Sequence, residues 1–307
     1  GMKCKYVVKN NLLYTIKNYY ELTKPNVWWL LVFTSIGAMI RAGGIGNEFH
    51  IANEIILLVI LSVTFGTAGA ESISNYIDRD IDAIMNRTKN RPIPTGRIKA
   101  KKALLFGIIL SSGAIIFSFL IDYINEFNFF PIITFLMIFG LFDYIIIYSS
   151  ILKRKTLLNI ILGGFSGAIP ALIGYTAVSK TLTVEGLLIA TLVFLWIPAH
   201  IWSLSLKFKD DYTLAKIPML PVVMDLKTSI RLIALSSILL VVFSLLLYNI
   251  GTIYFVTAII SGIIVLVTSI QLVLNPTTQR AWKLFKITSP YLAIIFLAMI
   301  IESFIKL

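Results

Sequence analysis

Polar residues in this chain come in bursts, and between the bursts the sequence is almost continuously apolar. Stretches of about 20 predominantly apolar residues are long enough to cross a bilayer as helices. They recur nine times, at about 26–42, 55–74, 103–121, 128–149, 157–178, 183–206, 229–249, 252–274 and 287–305. The pattern predicts an all-α membrane protein with nine transmembrane helices. Composition agrees: 58% of the 307 residues are hydrophobic, well beyond what a soluble core requires. The segment up to Tyr20 is polar and basic and has no short apolar h-region, so no cleavable signal peptide is expected. The one cysteine, Cys4, leaves no internal disulfide framework and no cysteine-based zinc site.

Charge then orients the spans. The chain carries 27 Lys and Arg against 15 Asp and Glu, a net +12. Threaded through nine spans, all of the Lys and Arg except Arg41, Lys180 and Lys306 fall on one side. The positive-inside bias makes that side cytoplasmic, with the N-terminus inside and the C-terminus outside. The net charge is then a membrane signature and predicts no nucleic-acid partner. Residues 1–25 read as a cytoplasmic segment and 26–307 as a single transmembrane domain.

Two long polar loops, 75–102 and 207–228, share the cytoplasmic face, and each ends in a proline-containing turn, "RPIPTG" and "KIPMLPVV". If the second span continues helically, Glu71, Asn75, Asp78 and Asp82 fall at i, i+4, i+7 and i+11 on one face. Acceptors so spaced suit a magnesium ion, which takes one or two carboxylates and fills its shell with water and substrate phosphate oxygens. Asn75, Asp78 and Asp82 are the candidate metal ligands. Arg87, Lys89, Arg91 and Arg97 in the following loop are candidates for the phosphate oxygens, joined by Lys153 and Arg154 from the next cytoplasmic loop. The competing reading is a solvated helix end with ordinary surface ion pairs, which is where Arg79 and Asp80 belong. Glu71 sits about a turn inside the apolar run. There an acid costs on the order of a few kcal/mol unless it faces protein or a water-filled cavity, and its role stays open.

The sixth span carries a second stripe: Trp196, His200, Ser203, Lys207 and Asp211 at i, i+4, i+7, i+11 and i+15. Lys207 beside Asp211 suits a phosphate. His200 can ligate a metal or haem iron, act as a base, or bridge helices by a hydrogen bond. Trp202 reads as part of an interfacial belt. On the fifth span Asn159 is either interhelical glue or a substrate contact, and Gly163, Gly164 and Gly167 serve close helix packing.

Together these groups can assist loss of diphosphate from an allylic lipid: metal and cations neutralise the leaving group, while the apolar interior shields the carbocation from water. A transporter using the acid stripes as an ion path is the rival class. It is disfavoured because the outer half of the spans is nearly free of ionisable groups.

The residues also carry a resemblance. "NYIDRDIDAIMNRTKNRPIPTG", "LTKPNV", "LKRKTLLNIILGGFSGAIPALIGY" and "LWIPAHIWSLSLKFKDDYTLAKIPMLPVV" resemble the signatures of the intramembrane prenyltransferases of the UbiA superfamily. Within it they resemble the branch that farnesylates haem B. The resemblance implies nine helices around a central cavity and a Mg2+-dependent transfer from farnesyl diphosphate to a vinyl group of haem B, giving haem O. Haem B is then substrate, not cofactor. It implies magnesium diphosphate on Asn75, Asp78 and Asp82, a basic loop of Arg87 and Arg91, and haem contacts from His200, Trp196 and Asn159. Lys207 and Asp211 fall in the second block. Lys207 stands where relatives usually have the first aspartate of a pair, which implies a direct Lys–phosphate contact in place of one metal contact. A downstream haem O-modifying enzyme or haem-copper oxidase assembly is the implied partner. The alternative acceptors are an aromatic quinone precursor or a glycerol lipid.

Overall fold

A computed structural model describes residues 12–305; Lys3, Cys4, Lys5, Lys9 and Lys306 lie outside the described residues. Among these residues the chain is helical throughout, with no strand. The helices are α1 (Leu12–Leu22), α2 (Pro25–Ala42), α3 (Asn53–Ile77), α4 (Arg79–Ile84), α5 (Ala100–Ile124), α6 (Ile132–Phe142), α7 (Asn159–Ser179), α8 (Val184–Lys207), α9 (Lys209–Leu214), α10 (Leu220–Val223), α11 (Leu226–Leu246), α12 (Thr252–Leu274) and α13 (Thr278–Phe304). A π-helical segment, Asp143–Leu152, continues α6.

Eight of the nine expected spans are long and apolar enough to cross a membrane, and the chain is a multi-pass membrane protein. The ninth, α2, is 18 residues long, opens on Pro-Asn and carries Arg41 in its last turn, so it falls short on apolar content. It is nonetheless an inner helix, packed against α3, α7, α8 and α13. The last span begins earlier than expected because its helix extends through the basic stretch "TQRAWKLFK", capped by Thr277, whose side chain accepts from the Arg280 N–H. Such a cap satisfies one of the unpaired amides of a helix start.

Two cores hold the bundle. Ile189, Leu192, Leu240, Tyr254, Leu292 and Phe296 join α8, α11, α12 and α13. Val59, Val63, Ile121, Ile133 and Ile173 join α3, α5, α6 and α7. A third cluster, including Ile81, Met85, Trp202, Leu206, Tyr212 and Met219, lies beneath the two long loops. It takes in Trp202, which is buried rather than placed in an interfacial belt. Gly174 brings α7 onto α2 so closely that a Cβ there would collide with the Ser35 carbonyl, which is the use of a small residue where backbones cross.

Candidate active site

α3 does not run straight on through its acid stripe. It stops at Ile77, Asp78 occupies the junction with φ −89° and ψ 7°, and α4 starts at Arg79. The break still sorts the side chains as the helical period requires: Glu71, Asn75, Asp78 and Asp82 are buried, while Arg79 and Asp80 are exposed.

Glu71 and Asp82 line a cavity of about 730 Å3; Asn75 and Asp78 are not among its lining residues. Its charged lining consists of Lys24, Glu71, Asp82, Arg87, Arg91 and Lys153; its aromatic lining includes Trp29, Tyr144, Tyr148, Trp196, Phe208, Tyr212, Trp282 and Phe285; the rest is largely aliphatic, with Leu30, Val63, Met137, Ile169 and Ile173 from mid-helix positions. Glu71, Asp78 and Asp82 each hold a close cation, and Arg154 lies 4.0 Å from Asp78 as well. Glu71 pairs with Lys24 at 2.9 Å and accepts from the Tyr144 hydroxyl at 2.7 Å. Asp78 pairs with Lys153 at 2.5 Å. Asp82 receives Arg91 Nη1 on both oxygens at 3.0 Å. Burial opposes the Lys153 charge, but the Asp78 carboxylate together with Tyr148 and Asp82 outweighs it and holds the ammonium above the usual lysine range. For Lys24 burial wins over the attraction of Glu71, so its pKa is lowered. Lys24 also takes a left-handed backbone (φ 52°) at the turn between α1 and α2. For a residue with a side chain that is a strained conformation of the kind found at functional sites.

Arg87 differs from the other cavity cations in having no carboxylate partner among the described residues. Its guanidinium donates to the Tyr212 hydroxyl at 3.0 Å and lies 5.4 Å from the centre of the Phe208 ring. Asp211 holds its main chain: the Asn86 and Arg87 N–H groups donate to the two Asp211 oxygens at 3.2 and 2.9 Å. α8 ends at Lys207 and α9 begins at Lys209 after a break at Phe208, and Asp211 clamps the basic loop.

The other expected site residues divide. Trp196 and His200 line the cavity, stacked ring on ring. Lys207 is half-buried outside the cavity wall. Lys89 is exposed and donates to Asn86 Oδ1 at 3.1 Å. Arg154 grips Asp80 with two 2.7 Å bonds, and that guanidinium holds the Asp80 carboxyl down at about 2. Arg97 is engaged by Glu21 and Asn18 of α1. Asn159 is fully buried and donates to the Lys153 carbonyl at 3.2 Å, so it holds the loop that carries Lys153. Sequence reasoning did not single out Lys24, Tyr144, Tyr148, Phe285 or Ser289, all of which line the cavity. The signals were a lysine directly before a proline, and a tyrosine pair at i and i+4 at the inner end of an apolar run.

Residues fit for a metal are present. No three His, Cys, Asp or Glu side chains among the described residues form a metal cluster. Yet Asn75 Oδ1 and Asp78 Oδ1 are buried acceptors with no hydrogen-bond partner, one or two oxygens being what magnesium takes from protein. The Asn75 amide is fixed by donating to the Leu22 carbonyl at 2.7 Å.

The sequence model described as the UbiA prenyltransferase family matches residues 30–300. The chain belongs to that family. A protoheme IX farnesyltransferase 1 of Picrophilus torridus is 42% identical over 310 residues, covering 100% of this chain and 99% of the relative. A protoheme IX farnesyltransferase 2 of Cenarchaeum symbiosum is 41% identical over 300 residues, 93% of this chain and 95% of its own. Among solved structures, a digeranylgeranylglyceryl phosphate synthase superposes with a TM-score of 0.74 at 22% identity, covering 94% of this chain and 99% of its own. A UbiA homologue from Archaeoglobus fulgidus bound to DMAPP and Mg2+ superposes with a TM-score of 0.64 at 15% identity, covering 92% and 99%. The structural likenesses establish the UbiA fold. This UbiA-family enzyme is an intramembrane prenyltransferase.

Proposed function

We propose that the enzyme transfers the farnesyl group of farnesyl diphosphate to a vinyl carbon of haem B, giving haem O, with Mg2+ as the metal. The observation that carries this reading is a single cavity with paired acids and cations along its rim, aliphatic walls, and a stacked imidazole among large aromatic rings. The relatives at 41–42% identity, named for protoheme IX farnesyl transfer, support the acceptor. Arg87, Arg91, Lys24 and Lys153 would hold the diphosphate oxygens; Asn75, Asp78 and Asp82 would hold the metal, which would supply electrostatic stabilisation of the leaving group. With a metal on these acids, Arg91 and Lys153, now paired with Asp82 and Asp78, would be free to turn to the phosphate oxygens.

The allylic C–O bond breaks and diphosphate leaves with the electron pair. The π electrons of the vinyl group form the new C–C bond at farnesyl C1. Water adds to the resulting cation beside the porphyrin ring and loses a proton, completing the hydroxyethylfarnesyl group. The aliphatic walls keep water from the first cation, and the His200 edge meets the haem iron. The mouth of the site and the N-terminus face the cytoplasm.

Incubation of purified enzyme with haem B, farnesyl diphosphate and Mg2+ is expected to give the mass of haem O, and chelation of the metal to abolish it. Prenylation of an aromatic acid or a glycerol phosphate, with haem B untouched, would reject the acceptor.

A further inference from the structure

His200 has both ring faces covered. Trp196 stacks on one side (4.4 Å between ring centres, 19° between planes) and Phe285 on the other (4.3 Å, 20°). Only the ring edge is left for chemistry, and the edge carries the two nitrogens. Nδ1 lies 2.6 Å from Thr288 Oγ1, and Nε2 lies 3.3 Å from Ser289 Oγ.

A neutral imidazole has one N–H and one lone pair, and its hydrogen-bond partners decide which nitrogen carries which. Thr288 has a single hydroxyl proton, which it donates to the Phe285 carbonyl of its own helix at 2.9 Å. Toward His200 it is therefore an acceptor, Nδ1 is the donor, and the Ser289 hydroxyl donates to Nε2. That arrangement makes three hydrogen bonds. The opposite tautomer turns the Thr288 proton onto Nδ1, forfeits the bond to Phe285 and keeps two.

We propose that Thr288 is a positioning residue: it fixes His200 as the Nδ1–H tautomer so that the Nε2 lone pair, at the cavity wall beside Ser289, ligates the iron of the acceptor haem. The ligation rests on the haem reading above; the tautomer does not. His200 and Ser289 line the cavity, while Thr288 is fully buried behind them. A relay from the ring N–H through a hydroxyl to a main-chain carbonyl is the kind of support that orients a metal-binding imidazole and raises its basicity. The Ser289 contact is long for a hydrogen bond, so iron displaces it readily.

The chain has two histidines, and the other, His50, is exposed on an outer loop. A His50→Gln variant labelled with 15N-histidine therefore presents one imidazole to NMR in lipid nanodiscs. The expected spectrum has Nδ1 protonated and Nε2 bare, a preference reduced about tenfold or more by Thr288→Val and retained by Thr288→Ser. A ring protonated at Nε2, or a Thr288→Val protein with an unchanged tautomer, overturns the proposal; the first of these is decided on protein with native Thr288, whatever the variant's folding. Titration with ferric haem b is expected to give a histidine-ligated spectrum, with affinity lowered roughly tenfold by Thr288→Val and restored by Thr288→Ser. Equal spectra and affinities for the native protein, His200→Ala and Thr288→Val would remove the ligation even if haem O is made. A ligated spectrum without conversion of haem B would instead reject the reaction and leave the ligation standing.

Discussion

Asp78 shows how one side chain carries two burdens. It has no exposed surface, and Lys153 faces it at 2.5 Å. Truncating one member of a buried pair leaves the other charge uncompensated, at a cost of about 3–5 kcal/mol. Asp78→Ala is therefore expected to lower the melting temperature as well as abolish transfer. Asp78→Asn keeps the shape but not the charge, so it should lose stability too, though less than Asp78→Ala because one oxygen still accepts from Lys153, while prenyl transfer falls at least about 100-fold, within the range seen when one transition-state-stabilising group is removed. Thermal unfolding in detergent read beside turnover separates the two burdens, and an Asp78→Asn enzyme with native turnover would dismiss the metal role. Lys24 gives a pH prediction. Burial lowers its pKa, so its positive charge is lost at a lower pH than that of an ordinary lysine. Affinity for farnesyl diphosphate should fall on the alkaline side as Lys24 deprotonates, and Lys24→Arg, whose guanidinium stays charged, should move that limb upward. Binding isotherms across alkaline pH check this; coincident limbs would take Lys24 out of the diphosphate site.

The element that matters most is the loop between α4 and α5, because it is held rather than free. Asp211 binds its start through two main-chain N–H groups, and Arg97 ties its far end to Glu21 and Asn18 of α1 while donating to the Asn90 carbonyl. Hydrogen bonds to a charged group are worth about 1.5–3 kcal/mol each. Asp211→Ala should raise KM for farnesyl diphosphate about tenfold, with a smaller change in kcat, and speed amide hydrogen exchange over residues 85–92. Unchanged KM and exchange would show that the clamp does not position Arg87. This element also marks where sequence reading reaches and where it stops. The spans were legible because each is an apolar window of bilayer length, and the burial of Asn75, Asp78 and Asp82 followed from helical spacing. The stop of α3 at Ile77 and the break at Phe208 between α8 and α9 were not legible, since each depends on packing against other loops. The π-helical turn through Tyr144 and Tyr148 leaves no mark in "DYIIIYSSIL". The Lys24–Glu71 pair joins residues 47 positions apart, and no local period reports it.

At the scale of the whole molecule, the charged lining of the cavity comes from the α1–α2 turn, the end of α3, α4, the α4–α5 loop and the turn after the π-helical segment. At the opposite ends of the helices several ionisable groups are locally engaged. Arg41 binds Glu185 at 2.6 Å, Asp122 accepts the Ile133 and Thr134 N–H groups at the start of α6, and Glu302 accepts from the Tyr254 N–H. A substrate with an anionic head and an apolar tail is thus met by charge at one membrane face only, the face where Lys and Arg collect. That face should be cytoplasmic. In a Cys4→Ser background, Lys89→Cys lies on the charged side and Asn128→Cys on the other, both at exposed positions. A membrane-impermeant maleimide added to intact cells is expected to label Asn128→Cys and spare Lys89→Cys, and inverted vesicles should give the reverse. Labelling of Lys89→Cys from outside would turn the molecule over in the membrane. Labelling of both from one side would mean that an odd number of spans between them is wrong, and with it the assignment of α5 as a single crossing.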